Sequence, residues 1–261
     1  MENNTLNSFN MNFFSLDGKV AIVTGGNTGL GQAYAVALAK AGADLVIPTF
    51  DTNWDETRVL IENEGRKVVF VQGDLTKKED RTKVIETTMS EFGKIDILVN
   101  NAGTIRRAPL LEYKEEDWNA VMDINLNAVY FLSQEVAKIM VNQKSGKIIN
   151  IASMLAFQGG KFVPPYTASK HGVAGITKAF ANELACHNVQ INAIAPGYIK
   201  TANTAPIRAD ENRNAEILSR IPAERWADPF DLMGCVVFLA SKASDYVNGH
   251  VLAVDGGWLV R

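Results

Sequence analysis

Metal-binding and cross-linking chemistry has little material in this sequence. Its 261 residues include two cysteines, Cys186 and Cys235, and three histidines, His171, His187 and His250. None stands at the short spacings that ligate zinc, and two distant cysteines make no disulfide framework. No metal and no disulfide is expected, only buried thiols and surface imidazoles. An apolar run of membrane-spanning length is also missing. So is a basic cluster: 26 Lys and Arg are outnumbered by 29 Asp and Glu, scattered along a chain of net charge −3. That leaves no electrostatic footprint for nucleic acid. The first eighteen residues are rich in asparagine and lack the basic and apolar regions of a secretion signal. The protein is therefore expected in the cytoplasm, with residues 1–15 as a flexible extension.

What the chain does have is an alternation that runs from end to end. Short apolar runs fall at Lys19 to Thr24, Asp44 to Ile47, Lys67 to Val71, Ile95 to Asn100, Lys147 to Ala152, Gln190 to Ala195 and His250 to Val254. Between them lie helical patterns at Leu30 to Ala41, Glu79 to Phe92, Glu115 to Met140, Tyr166 to Ala185 and Asp231 to Ala240. Strands separated by helices predict an α/β fold: one doubly wound domain over 16–261, its parallel seven-stranded sheet covered by helices on both faces. The stretch around 198–228 breaks the rhythm with Pro206, Pro222 and a short helical pattern from Asn212 to Arg220. An irregular insertion of that length predicts a lid over a binding site.

The first strand runs directly into Thr24-Gly-Gly-Asn-Thr-Gly-Leu-Gly31. Glycines between an opening strand and helix let the backbone turn tightly, and let the helix N-terminus, with its unpaired N–H groups and positive dipole end, approach a pyrophosphate. Gly25, Asn27, Thr28, Gly29, Leu30 and Gly31 are thus candidates to bind a dinucleotide. At the end of the second strand, where an acid often holds the ribose 2′-hydroxyl, stands Thr49. Beyond it come Asp51, Asp55 and Glu56, with no cation before Arg58. A 2′-phosphate would want a cation, so NAD is expected over NADP.

Tyr166 is followed four residues on by Lys170 and preceded by Ser153, at the end of an apolar run. One helical turn puts Tyr166 and Lys170 on one face. An ammonium near a phenol favours the phenolate, making tyrosine an acid/base group for an alcohol or ketone. Along Glu115 to Met140 the apolar positions Trp118, Met122, Val129, Leu132, Val136 and Met140 step at helical spacing, interrupted by Asn125. That amide either bonds neighbouring backbone and fixes packing, or bends the helix and holds a water for proton relay; patterning alone leaves both open.

Taken together, the glycine turn, Asn100-Asn-Ala-Gly103, Asn125, Ser153, Tyr166-Thr-Ala-Ser-Lys170 and Pro196-Gly197 resemble, in order and spacing, the short-chain dehydrogenase/reductase family. The resemblance runs from about Leu16 to the C-terminus. It implies a Rossmann-type domain, Tyr166 as acid/base, Lys170 on the nicotinamide ribose, Ser153 on the reacting oxygen and Asn125 on a relay water. It further implies Asp74 and Leu75 near the adenine, Asn101, Ala102 and Gly103 along the cofactor, and Pro196, Gly197, Ile199 and Thr201 at the nicotinamide. A homotetramer is implied as well; the sequence-level hint is an excess of apolar residues on the long helices and in Trp258-Leu-Val260.

Longer stretches, among them Ile105-Arg-Arg107, Ile151 to Gly160 and Ser244 to Gly249, resemble the branch acting at C5 of six-carbon sugar acids in uronate catabolism. Such a substrate needs a fork-shaped cation for its carboxylate and neutral polar groups for its hydroxyls. Arg106 or Arg107, after the fourth strand, is expected to supply the cation, with Gln158 and Asn203 as further contacts and Arg208, Arg213 and Arg225 in reserve on the insertion. Three other readings stay open: a gluconate-type sugar-acid dehydrogenase, a reductase of carrier-bound ketoacyl groups, and a dinucleotide sensor that turns nothing over.

Overall fold

The computed structural model describes residues 8–261. Seven parallel strands form the centre: β1 (Val20–Val23), β2 (Asp44–Thr49), β3 (Val68–Gln72), β4 (Ile97–Asn100), β5 (Gly146–Ile151), β6 (Val189–Pro196) and β7 (Val251–Val254), in the order β3-β2-β1-β4-β5-β6-β7. The chain reverses direction across the sheet between β1 and β4, which opens a crevice at the strands' C-terminal edge. Strands β1, β4, β5 and β6 are buried along their whole length, as covering on both faces requires.

Nine helices do the covering among the described residues: α1 (Gly29–Lys40), α2 (Asp55–Glu62), α3 (Lys78–Phe92), α4 (Glu115–Met122), α5 (Ala128–Gln143), α6 (Pro164–Leu184), α7 (Ala205–Ala209), α8 (Glu211–Arg220) and α9 (Met233–Ala240). One core half packs Tyr34 and Leu38 of α1, Ile61 of α2 and Val236 and Leu239 of α9 against Val23, Leu45, Ile47 and Val99. The other packs Val84 of α3, Leu132, Val136 and Met140 of α5 and Ala181 of α6 against Ile22, Val46, Leu98 and Ile148. Both halves grip the same strands, so the strand ends that carry the site are held from two sides.

Four expectations need correction. Helix α2 was not foreseen, because only Thr57 and Ile61 of its eight residues are buried and its opening acids read as loop. The single helix expected over Glu115 to Met140 is broken by a π-helical turn at Asp123–Asn127, and Trp118 on the expected buried stripe is 40% exposed. Cys186 is exposed rather than buried. Of the expected extension 1–15, residues 1–7 lie outside the described residues, while Met11–Phe14 form a 3-10 turn.

Candidate active site

Helix α1 begins at Gly29, and its N-cap Thr28 makes no side-chain capping bond. Gly29 has φ +56°, and a Cβ there would meet nothing within 4 Å. The mouth of the turn is open at a helix start whose first N–H groups have no intrahelical acceptor. Gly31 is required for the opposite reason: a Cβ would lie 2.1 Å from the Gly25 carbonyl oxygen. Open space over a tight helix-to-turn approach fits a pyrophosphate. Leu30 packs against the core below. Thr24 was not singled out from the sequence, yet it ties this turn to the next strand end. Its Oγ1 accepts from the backbone N–H of Asn101 and of Ala102, both at 2.9 Å, while Asn101 Nδ2 donates to the Thr24 carbonyl at 3.0 Å.

At the end of β2, Thr49 is buried and its hydroxyl is fully engaged, donating to Asp51 O at 2.7 Å and accepting from Trp54 Nε1 at 2.8 Å. The charge in this corner is on Asp51, whose Oδ1 accepts from Asn27 Nδ2 at 2.8 Å and from Asn53 N at 3.0 Å. Arg58, the first cation beyond, lies over the Phe70 ring at 4.9 Å and beside Glu62 at 3.7 Å. Asp74 caps its own turn by accepting from Thr76 N and Oγ1 through Oδ1. Leu75 is buried, and with Thr24, Asn100 and Ala102 it lines a small cleft behind the strand ends.

Ser153 follows β5 as the cap of a 3-10 turn, its hydroxyl accepting from Leu155 N at 3.2 Å. Tyr166 and Lys170 share a face of α6, which Pro164 starts at its first helical position. Lys170 is 5% exposed and donates to Ile151 O at 2.6 Å. With that carbonyl as its partner and no carboxylate, burial pushes its pKa down to about 8. Tyr166 departs from expectation: burial raises its pKa, and hydrogen bonding with Ser153 and the positive charge of Arg107 pull it back in part. The Lys170 ammonium lies 5.4 Å from the centre of the phenol ring.

Asn125 sits within the π-helical turn, so it both accompanies a deformation of the helix and bonds backbone. Its Oδ1 accepts from Thr104 N at 2.8 Å, and its Nδ2 donates to Thr104 O at 2.9 Å and Ser169 Oγ at 3.3 Å. Ser169 in turn donates to the Tyr166 carbonyl at 2.8 Å. Gly103 passes close to the same amide, leaving only 3.0 Å between a hypothetical Cβ and Asn125 Oδ1. Beneath the site runs a buried relay that the sequence did not reveal: Asn100 Nδ2 donates to Ser133 Oγ and Asn150 Oδ1, both at 2.8 Å, and Asn150 Nδ2 to Thr177 Oγ1 at 2.9 Å. It fastens β4 and β5 to α5 and α6.

The two adjacent arginines separate. Both are exposed; Arg106 turns to Asp117 at 3.8 Å, and Arg107 is near enough for its charge to lower the Tyr166 pKa. On the far side of the crevice, Pro196 ends β6, Gly197 N donates to Val254 O at 2.9 Å, and buried Ile199 bridges to Ala227. Thr201 caps a 3-10 turn over Ala202–Thr204 in which Asn203 is exposed. Gln158 accepts from Arg220 Nη2 at 3.3 Å, and Arg220 stacks at 4.0 Å on buried Trp258. Of the reserve arginines, Arg213 pairs with Glu216 and Arg225 with Asp231.

A tyrosine, a buried lysine and a serine thus stand at the end of a sheet whose first turn fits a dinucleotide's pyrophosphate. The model of the short chain dehydrogenase family matches residues 19–212. The chain belongs to that family. It is an oxidoreductase acting on a CH–OH group or the corresponding carbonyl. It is 56% identical to the 2-dehydro-3-deoxy-D-gluconate 5-dehydrogenase of Escherichia coli K12 over 252 residues, covering 95% of this chain and 98% of the relative. Among solved structures, one provisionally described as a 2-deoxy-D-gluconate 3-dehydrogenase of Agrobacterium tumefaciens, with bound NADP, is 51% identical at a TM-score of 0.89. It is covered to 99%, and this chain to 95%. Another, provisionally an NAD(P)-dependent gluconate 5-dehydrogenase of Beutenbergia cavernae with bound NADP, is 47% identical at a TM-score of 0.91, with the same coverage. Among the described residues no helix is long and apolar enough to cross a membrane.

Proposed function

We propose that the enzyme interconverts the C5 hydroxyl and ketone of a 2-keto-3-deoxy sugar acid, 2-dehydro-3-deoxy-D-gluconate in the alcohol direction, as in uronate breakdown. The observation that carries this reading is the half-buried Tyr166, one helical turn from buried Lys170 and hydrogen-bonding with Ser153, with the charge of Arg107 acting on its phenol. The glycine turn would hold the pyrophosphate of a dinucleotide whose nicotinamide, when bound near Ile199 and Thr201, supplies or accepts the hydride. Tyr166 gives its proton to the nascent C5 oxygen in reduction and takes it back in oxidation, and Ser153 holds that oxygen. Lys170, anchored on Ile151 O, places positive charge below the ring, where it stabilises the phenolate left behind. Asn125 fixes the Thr104 backbone at the site floor and through Ser169 the first turn of α6, and it holds the relay water. Arg107, not Arg106, pairs with the substrate carboxylate, and Gln158 and Asn203 serve the hydroxyls.

For the cofactor, the reading is NAD(H). Asp51, oriented by Asn27 and Asn53, presents a carboxylate where a 2′-phosphate would sit, and Arg58 is occupied by Phe70 and Glu62. The NADP in the two solved relatives argues the other way, so the preference is one of degree. Residues 198–228 act as the lid. The protein is cytoplasmic and assembles as a homotetramer, using exposed apolar side chains such as Trp118, Phe131 and Val260. A gluconate 5-dehydrogenase remains the second reading, on the gluconate 5-dehydrogenase among the solved relatives.

The test is a steady-state comparison of NADH and NADPH against 5-keto sugar acids, neutral ketoses and a ketoacyl thioester. The proposal expects turnover of the 2-keto-3-deoxy acid with NADH to exceed the rest. Turnover confined to the thioester would move the enzyme to carrier-bound substrates, and binding of NADH without turnover of any ketone would leave a sensor.

A further inference from the structure

Arg58, Arg106, Arg213 and Arg225 each pair with a carboxylate. Arg208, on α7 of the insertion, pairs with none among the described residues; Arg66, Arg81 and Arg220 also lack a carboxylate but bond backbone or amide oxygens, and among the described residues no other arginine has a buried nitrogen without a partner. Its Nη2 donates to Thr201 O at 3.3 Å, and its Nε is buried without any acceptor. A buried N–H left open costs free energy comparable to a lost hydrogen bond, and native folds rarely tolerate one unless something arrives to accept it. On a guanidinium, whose fork matches two oxygens of one planar anion, the fitting acceptor is a carboxylate.

The position of Arg208 in the fold points the same way. Its neighbour Ile207 packs against the apolar cluster of Met154, Ile217, Ile221, Trp226 and Trp258. That cluster includes Met154, the residue after Ser153. Thr201, which holds Arg208 through its carbonyl, caps the turn leading out of the crevice. The helix is thereby tied to a cluster that includes the residue after Ser153 and to the loop after β6, with one cation and one unfilled donor. On the insertion Glu216 pairs with Arg213, Asp231 with Arg225 and Asp228 with Lys200, and Asp210 caps α8 by accepting from Arg213 N; none of the insertion's acids pairs with Arg208 among the described residues.

We propose that Arg208 is a specificity-determining residue that pairs, from the insertion, with the carboxylate of the sugar-acid substrate, sharing it with Arg107 from the loop after β4. A carboxylate accepts at both oxygens, with about four lone-pair sites, so two guanidinium groups can be served at once. The selectivity for an acid would then be built jointly by a fixed loop and by the insertion, and substrate charge would help draw the insertion onto the site. This inference rests on the sugar-acid reading above. The other anionic oxygens within a dehydrogenase site are cofactor phosphates, and the test separates the two sources.

The variants are Arg208→Met, which keeps the apolar stem and removes charge and donors, and Arg208→Lys, which keeps the charge and removes the fork. Each is measured with the 5-keto acid and with its uncharged primary amide, and NADH affinity is measured separately by fluorescence without substrate. The proposal expects Arg208→Met to lose roughly tenfold to a hundredfold in kcat/KM for the acid, the scale of a charge-assisted pair. It expects less than about a threefold loss for the amide on the same footing, a smaller loss for Arg208→Lys, and NADH affinity within about twofold of wild type. Equal losses for acid and amide would make Arg208 structural, and a loss confined to NADH affinity would assign it to a cofactor phosphate; either overturns the proposal. If wild type itself treats acid and amide alike, the sugar-acid reading falls and this inference with it. If wild type prefers the acid and Arg208→Met keeps that preference in full, the inference alone falls.

Discussion

Lys170 is buried with a carbonyl in place of a counter-charge, and this makes its removal a test of the site's electrostatics that needs no substrate. Its pKa is lowered from 10.5 to about 8, so in the folded state the proton is lost more readily than in the unfolded chain. Below pH 8 both states are protonated and the full penalty of burying the ammonium is present. Between pH 8 and 10.5 the unfolded state binds more protons than the native state, so stability rises with pH relative to a chain lacking the group. A shift of that size corresponds to about 3 kcal/mol in all, of which about 2–3 kcal/mol should be recovered between pH 7 and pH 10. The comparison is Lys170→Met against wild type, both cofactor-free, by thermal and urea unfolding at the two pH values. Using the pH slope rather than the absolute difference cancels the lost bond to Ile151 O, which is common to both conditions. Wild type should gain on the variant by roughly 5–10 °C in Tm from pH 7 to pH 10, on the usual conversion for a chain of this size. Parallel pH dependences would mean that the ammonium has found a counter-charge or water, and the account of how Lys170 acts on Tyr166 would have to be rebuilt.

Three further outcomes are expected. Asp51→Asn should shift the ratio of kcat/KM for NADH over NADPH toward NADPH by roughly tenfold, the scale of one charge-assisted hydrogen bond; an unchanged ratio would remove Asp51 from cofactor choice. Thr24→Val should cost about 1–3 kcal/mol by stripping the acceptor from the N–H groups of Asn101 and Ala102, read as a lower urea midpoint together with weaker NADH binding; wild-type stability would show that water replaces the hydroxyl. Arg107→Ala should lose roughly tenfold to a hundredfold in kcat/KM for the sugar acid, whereas Arg106→Ala, which frees only an exposed pair with Asp117, should lose little; the reverse order would contradict the separation of the two side chains.

The strands and most helices were legible in the sequence because covering a parallel sheet on both faces writes near-continuous apolar runs such as Lys147-Ile-Ile-Asn-Ile-Ala152. Helix α2 was not, since a helix lying on the sheet's edge with two buried residues has no stripe to read. The π-helical turn at Asn125 was hidden by apolar spacing that continues across it. Of the two readings of Asn125 that patterning left open, the bond to neighbouring backbone is seen at Thr104, within a helix deformed at that turn. Tyr166, Lys170 and Ser153 could be named from spacing, but not the balance of burial against charge that raises the Tyr166 pKa, because that depends on what covers the phenol. Likewise two consecutive arginines carry no sign of which one turns to Asp117. Thr24, Asn100 and Asn150 matter through partners far away in the chain, which local patterns do not contain.

The most direct measurement of the central claim is to follow deuterium from [4-²H]NADH of the transferring face into the product of the 2-keto-3-deoxy-5-keto acid by NMR, with wild type and Tyr166→Phe. The account predicts deuterium at C5 of the sugar acid in wild type, and in the variant a rate lower by roughly 10²–10⁴-fold with NADH affinity largely kept. Deuterium at C2 instead of C5, or a Tyr166→Phe enzyme that turns over at a near-normal rate, would contradict it.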